Sequence, residues 1–205
     1  MTEDAEKALE VFDSAAAKQA EYTISHADRE AIGRAADLIQ ESVKNGGRLH
    51  VTGIGKPGHL AGYIASLITS TGTPSYFLHG TEAVHGSSGQ LVEGDVVIGI
   101  SNSGNTEELL ATIFCAKDNG CKIIGVTGNP DSHLAKASDV VLIADVIPEG
   151  EGGPLNRAPR NSIMAEMQVL QMLSVVLQAD CHVTPEQYVK HHPHGALGHL
   201  REDEK

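Results

Sequence analysis

A chain of 205 residues, 40% apolar and 20% charged, has the length of one domain and enough apolar side chain for a buried core. Fifteen Lys and Arg against 27 Asp and Glu leave a net charge of −12, which repels phosphate backbones and anionic lipid and argues against nucleic acid or a membrane as partner. Three Phe, four Tyr and no Trp leave little from which to build a base-stacking platform or an aromatic protein-binding patch.

The first ten residues, MTEDAEKALE, are acidic where a secretory leader is basic and then apolar, and no apolar run approaches the roughly 20 residues of a membrane span. The expectation is a cytoplasmic protein. Cys115, Cys121 and Cys181 are odd in number and lack CxxC spacing, so they read as reduced thiols and not as a disulfide frame or a zinc knuckle.

Apolar positions at helical spacing, Leu9, Phe12 and Ala16, then Ile32, Ala36 and Ile39, predict two helices within residues 1–46. Ser25 or Asp28 caps the second, and Asn45-Gly46-Gly47 stops it. From Leu49 the texture changes to short apolar runs at 49–54, 75–78, 96–100, 122–127 and 140–144. Near-continuous Val and Ile without alternation mean strands covered on both faces, as in a parallel sheet flanked by helices. The segments 58–71, 104–119 and 131–137 have the length of crossover helices. The fold class is therefore α/β, a five-stranded parallel sheet in a three-layer sandwich with flavodoxin-like winding. Residues 148–160 form one long irregular loop, a kind of segment that commonly carries function. The stretch from Asn161 to Gln178 is apolar almost all round and predicts a buried helix, partly against a second subunit. Thr184-Pro185-Glu186 then starts a short helix before a His-rich tail. One domain over 1–205 is expected, with N-terminal helices 1–46, an α/β core 47–147, the loop 148–160, and a C-terminal helix and tail 161–205.

Ligands of such sheets bind beyond the carboxyl ends of the strands, where helix N-termini present unpaired N–H groups. The turn after the first strand, Gly53-Ile54-Gly55-Lys56-Pro57-Gly58, matches GxGxxG by spacing. A dinucleotide fingerprint also needs an acid about 20 residues on, and Leu78-His79-Gly80 stands there, so that reading fails. After the third strand, Ser101-Asn102-Ser103-Gly104-Asn105-Thr106 gathers three hydroxyls around a glycine. An ordinary helix cap explains one hydroxyl but hardly three; a cradle for a phosphate monoester explains them all. Thr127-Gly128-Asn129-Pro130 reads as a turn and cap. His79, His85, His191, His192, His194 and His199 invite a metal reading, but no HExxH accompanies them.

The stretches GIGKPGHLA, STGTPSYFLHGTEAVHG, DVVIGISNSGNTEEL, IIGVTGNPDSHLAKASDVVL and HPHGALG, in this order, resemble the sugar isomerase (SIS) domain, most closely that of arabinose-5-phosphate isomerases. The resemblance covers roughly residues 35 to 200. It implies a small-molecule sugar phosphate as ligand, no organic cofactor, no required metal, and a homotetramer with sites near subunit boundaries. Many members carry paired regulatory CBS modules, and the expectation here is the domain without them. Residue by residue, the resemblance assigns Lys56, Glu108, Glu151 and His192 to catalysis, with Glu149 as the alternative to Glu151 because the loop is longer by two residues. It assigns Gly55, Gly72, Thr73, His79, His85, Ser101, Ser103 and Thr106 to substrate binding, and His79 also to a position where the family holds an inhibitory zinc. Asn105 in place of an acid, Arg160-Asn161-Ser162-Ile163 in place of a Ser/Thr run, and His194 in place of a glycine depart from the pattern. Aldose–ketose isomerisation of ribulose 5-phosphate and arabinose 5-phosphate through an enediol is the implied reaction; another phosphosugar or a noncatalytic sugar-phosphate sensor is the alternative. Moving a proton between two carbons needs a base, a second proton carrier and positive charge at the enediolate oxygen, which a carboxylate, a histidine and Lys56 supply. Taken alone, Lys56 also reads as a solvated surface cation and Glu108 as a first-turn acid serving a helix dipole, as alternatives to these roles.

Overall fold

A computed structural model describes residues 1–204; Lys205, the last residue of the expected tail, lies outside them. Helix α1 (Glu3–His26) and helix α2 (Arg29–Lys44) precede the sheet, and Asp28 caps α2 by accepting from the Ala31 N–H at 2.9 Å. The chain then alternates through β1 (Leu49–Gly53), α3 (Lys56–Ser70), β2 (Ser75–Phe77), α4 (Gly80–Ala83), β3 (Val96–Ile100), α5 (Glu107–Asp118), β4 (Lys122–Thr127), α6 (His133–Ala137) and β5 (Val140–Ile143). The long helix α7 (Asn161–Cys181) and the short α8 (Pro185–His191) follow, α8 closed at its start by a capping box between Thr184 and Gln187.

All five strands are parallel, in the order β2-β1-β3-β4-β5. One face carries α2, α3 and α7 over a core that includes Ile39, Val51, Ile64, Ile98 and Leu170. The other carries α4, α5 and α6 over Leu78, Val97, Ile113, Ile123 and Leu134. Strands β1 and β3 are buried along their whole length, as their unbroken apolar sequence requires. Helix α4 and a 3-10 turn at Ser87–Gln90, which the apolar runs did not announce, fill the connection from β2 to β3. Helix α7 reaches 21 residues and is apolar enough by length and composition to cross a membrane, although polar residues spaced along it break its apolar run. Its buried face packs on α1, α2 and α3, while Val175 on its outer side is 64% exposed.

At the amino end of the sheet Asp95 is fully buried and accepts from the backbone N–H groups of Arg48 (2.8 Å) and Val92 (3.0 Å) and from the Arg48 guanidinium (3.2 Å). Burial holds His50 below its usual pKa, so its neutral ring donates through Nε2 to Asp95 at 3.1 Å. Burial by itself raises the Asp95 carboxyl, but the Val92 and Arg48 N–H bonds, the Arg48 charge and His50 outweigh it and hold the group below the ordinary range. Asp95→Ala orphans these donors and should cost about 3 kcal/mol in urea-induced unfolding. Because the folded-state pKa is depressed, the contribution is present above the ordinary carboxylate pKa and lost as pH falls through the folded one. The variant should accordingly lose less stability on acidification than the wild type does.

Candidate functional site

Strands β1 and β3 run side by side, with Gly53 opposite Ile100, and both end on turns that open helices on opposite faces of the sheet. This is the topological switch point, where a crevice opens. Each turn depends on glycine. A Cβ on Gly53 would lie 2.7 Å from the Pro57 carbonyl carbon, and Gly55 takes φ +65° to swing the chain into α3. Gly104 takes φ +63°, and a Cβ there would fall 2.2 Å from Ser132 Oγ. Only a residue without a side chain makes these approaches.

The second turn gathers hydroxyls. Ser101 Oγ and Thr106 Oγ1 stand 3.1 Å apart, Ser101 Oγ accepts from Gly104 N at 3.2 Å, and the exposed Ser103 Oγ accepts from Asn105 N at 3.2 Å. Thr106 is the N-cap of α5, but its hydroxyl makes no capping bond because it turns to Ser101. Gly55, the N-cap of α3, has no side chain to cap with. Two helices of 12 and 15 residues therefore open toward the same crevice with first-turn N–H groups that no capping side chain accepts, an arrangement suited to an anion. Lys56 opens α3, is exposed, and enters no ion pair among the described residues. Glu108 is likewise exposed, in the first turn of α5.

The turn after β4, read from its sequence as a turn and cap, also braces its neighbour. Thr127 Oγ1 donates to the Asn102 carbonyl at 3.0 Å, and Gly128 N donates to the same oxygen at 3.0 Å, so this strand end holds the hydroxyl turn from behind. Asn105 accepts from His133 N at 3.0 Å through its side-chain oxygen. His79 caps α4, its Nδ1 facing Glu82 N at 3.4 Å and Thr81 Oγ1 at 3.1 Å; His85 is exposed just beyond. Among the described residues no three His, Cys, Asp or Glu side chains gather to hold a metal ion, and His79 has no such companions, so the residues present do not fit a zinc site within one chain.

The loop 148–160 separates its two acids. Glu149 is exposed, its carboxyl held low by the bond to its own backbone N–H and by Lys18, whose ammonium lies 3.1 Å away. Glu151 turns inward, and its Oε2 accepts from Arg160 N at 2.6 Å and Ser162 N at 3.2 Å, seated on the N-terminus of α7. Below it lies Glu166, fully buried and with neither carboxyl oxygen hydrogen-bonded. Burial, and then the charge of Glu151, pushes its pKa up to about 8. The sequence reading passed over Glu166, although an acid in the middle of an apolar helix was the available signal.

Gly72, Thr73 and His192 are not brought to this crevice within one chain. Gly72 and Thr73 join α3 to β2 at the amino end of the sheet, where Thr73 Oγ1 lies 3.3 Å from Cys181 Sγ. The His192 ring lies tilted by 32° against Tyr188 with ring centres 4.2 Å apart, and its neighbour His191 reaches the Ser70 carbonyl at 3.1 Å through Nδ1. Ser70 is the last residue of α3 and Lys56 the first, so the length of that 15-residue helix, about 20 Å, separates the two ends.

Residues 43–176 match the SIS domain. The chain is 43% identical over 152 residues to the arabinose 5-phosphate isomerase KdsD of Pseudomonas aeruginosa, a match covering 74% of this chain and 46% of that protein. It is 37% identical over 165 residues to the KdsD of Francisella tularensis, covering 80% and 50%. The chain thus spans about half the length of these curated relatives. A Listeria monocytogenes structure described as a candidate sugar-phosphate isomerase superposes with a TM-score of 0.86 at 31% identity, covering 95% of this chain and all of the other. An Escherichia coli CFT073 protein in complex with A5P superposes with a TM-score of 0.85 at 32% identity, covering 94% and 100%. The sheet order, the glycine-built turns at its switch point and these likenesses agree, and the chain belongs to the SIS domain family.

Proposed function

We propose that this chain is a sugar-phosphate aldose–ketose isomerase and that it interconverts D-ribulose 5-phosphate and D-arabinose 5-phosphate. The observation that carries the reading is the meeting of Ser101 and Thr106 hydroxyls at the uncapped N-terminus of α5, beside the N-terminus of α3. Donors of this kind converge on one small dianion without a long cationic arm. The relatives named for arabinose 5-phosphate isomerisation, and the E. coli structure holding A5P, support the choice of sugar.

In this reading the phosphate seats on the α5 amides and the hydroxyls of Ser101, Ser103 and Thr106. Lys56 supplies positive charge where the enediolate oxygen develops, in a crevice where water is partly displaced and charge counts for more. Glu151, with one carboxylate oxygen not engaged on α7, serves as base for the proton exchanged between C1 and C2, and His192 moves the hydroxyl proton. Glu108 orients the sugar hydroxyls. The exposed Arg160, in the place of a hydroxyl residue, adds charge on the loop side and bears on which phosphosugar is preferred.

The reading requires a second copy of the chain, because His192 and Lys56 sit at opposite ends of α3. The groove that carries His192, about 720 Å³, runs between α3 and the free edge of β2 beside the half-exposed Phe77. A partner subunit seated there would bring its own crevice to His192, in keeping with a homotetramer.

A coupled assay with ribulose 5-phosphate and a panel of pentose and hexose phosphates tests the activity; tight binding of a sugar without turnover of any would reject the enzyme in favour of a sensor. Lys56→Ala and His192→Ala should each abolish turnover, and mixing the two inactive variants under subunit exchange should restore about a quarter of it or more, since mixed assemblies contain sites free of both changes. No recovery in demonstrably mixed assemblies would place both residues in one chain's site. Gly104→Ala, which combines a left-handed backbone with a clash at Ser132, should weaken binding of the sugar phosphate at least tenfold as measured by calorimetry.

A further inference from the structure

Glu166 is used by nothing in the mechanism above, yet it stands directly beneath it. It follows Ser162 by four residues and so lies one helical turn below it on the same face of α7, and Ser162 N is one of the two donors that seat Glu151. Both of its carboxyl oxygens are buried and unpartnered. An acid so placed has no structural use, since an apolar side chain of similar volume would fill the space without leaving polar atoms unpaired.

Nothing charged offsets it. The buried face of α1 presents Ala15, Gln19 and Thr23, that of α2 Ala31, Ala35 and Ile39, and that of α3 Leu60, Ala61 and Ile64. The core under these helices includes Ile100, Val126 and Ala144, all apolar. On α1, Lys18 is taken by Glu149; from the loop and the start of α7, Arg157 and Arg160 are exposed, and Glu151 is the one charged group whose field reaches Glu166.

We propose that Glu166 is a positioning residue for Glu151: while Glu166 is neutral, Glu151 holds the single negative charge of the pair and keeps its seat on the N-terminus of α7, and when Glu166 ionises the repulsion displaces Glu151 from that seat. Two carboxylates whose charges interact across a buried helix turn resist a second ionisation. The consequence for catalysis rests on the isomerase reading; the consequence for the α7 amides does not.

The test follows the backbone amide resonances of Arg160 and Ser162 in the full chain as pH is raised from about two units below to about two units above the Glu166 midpoint near 8. In the wild type both resonances should move with that midpoint as the carboxylate leaves them; in Glu166→Gln, which cannot ionise, the movement should vanish. Turnover of the preferred sugar phosphate should fall in the wild type by about tenfold per pH unit above the midpoint, and the Glu166→Gln profile should lack that limb. A residue that only fills space moves neither curve. Glu166→Met, with no polar atom to bury, gives a second variant that folds without the acid and should likewise lose both. Stability reports the buried proton independently: the folded-state pKa is raised, so the contribution of Glu166 to wild-type stability is greatest below the usual glutamate value, falls with the slope of one proton up to about 8 and then levels, and Glu166→Gln should lack this component. Amide movement that persists in Glu166→Gln, or is absent from the wild type, overturns the proposal, as does an alkaline limb that survives the substitution. Failure of the wild type to turn over any sugar phosphate removes the isomerase reading alone, because the amide titration stands without it.

Discussion

The structure depends on one constraint: β1 and β3 must lie side by side and end level, while the helices that follow them leave to opposite faces of the sheet. That divergence aims two helix N-termini toward the same end of the sheet. Gly53 is fixed by the backbone of Pro57 beside it, Gly55 by its left-handed φ, and Gly104 by both a left-handed φ and the Ser132 side chain, and the β4 turn locks the second turn through Thr127 and Gly128. The cohesion of the rest of the sheet, from the buried β-branched faces to the Asp95 network at the other end, serves to hold those two turns in register.

A protein with a net charge of −12 is a poor general host for anions, so binding one has to be local. Backbone amides and hydroxyls do this at short range without altering the overall field. Lys56, Arg157 and Arg160, exposed at or near the carboxyl ends of the strands, add the few positive charges of this region. The same region sorts three acids by environment. Glu149 is solvated and salt-bridged, Glu151 is held on helix amides, and Glu166 is buried without a partner. One residue type thereby takes three electrostatic states within a short stretch of chain, and burial is the variable that separates the extremes.

Much of the fold was legible because parallel strands buried on both faces leave an unbroken apolar signature, and each of the five runs coincides with a strand to within a residue or two. The second helix cap at Asp28, the stop at Gly46 and the start of α8 were legible for the same local reason: a side chain or a left-handed glycine settles a helix end with its immediate neighbours. Helix α4 was not, since four residues are too few for a period, and the span-length continuity of α7 was masked by the polar residues spaced along it. In the site, the Ser101–Thr106 turn could be read from composition, but not that Thr106 gives up its cap to face Ser101.

By itself, then, the sequence determined the α/β class, the strand and helix positions, the family and the residue types available for chemistry, because each of these is written in short-range pattern. Only the tertiary structure decided which of them meet. It sent Glu149 to Lys18 and Glu151 to α7, set Gly72, Thr73 and His192 at the far end of α3 from Lys56, and buried Glu166 under the loop. Those outcomes turn on helix lengths, packing and the exclusion of water across residues far apart in the chain, and no local pattern carries that information.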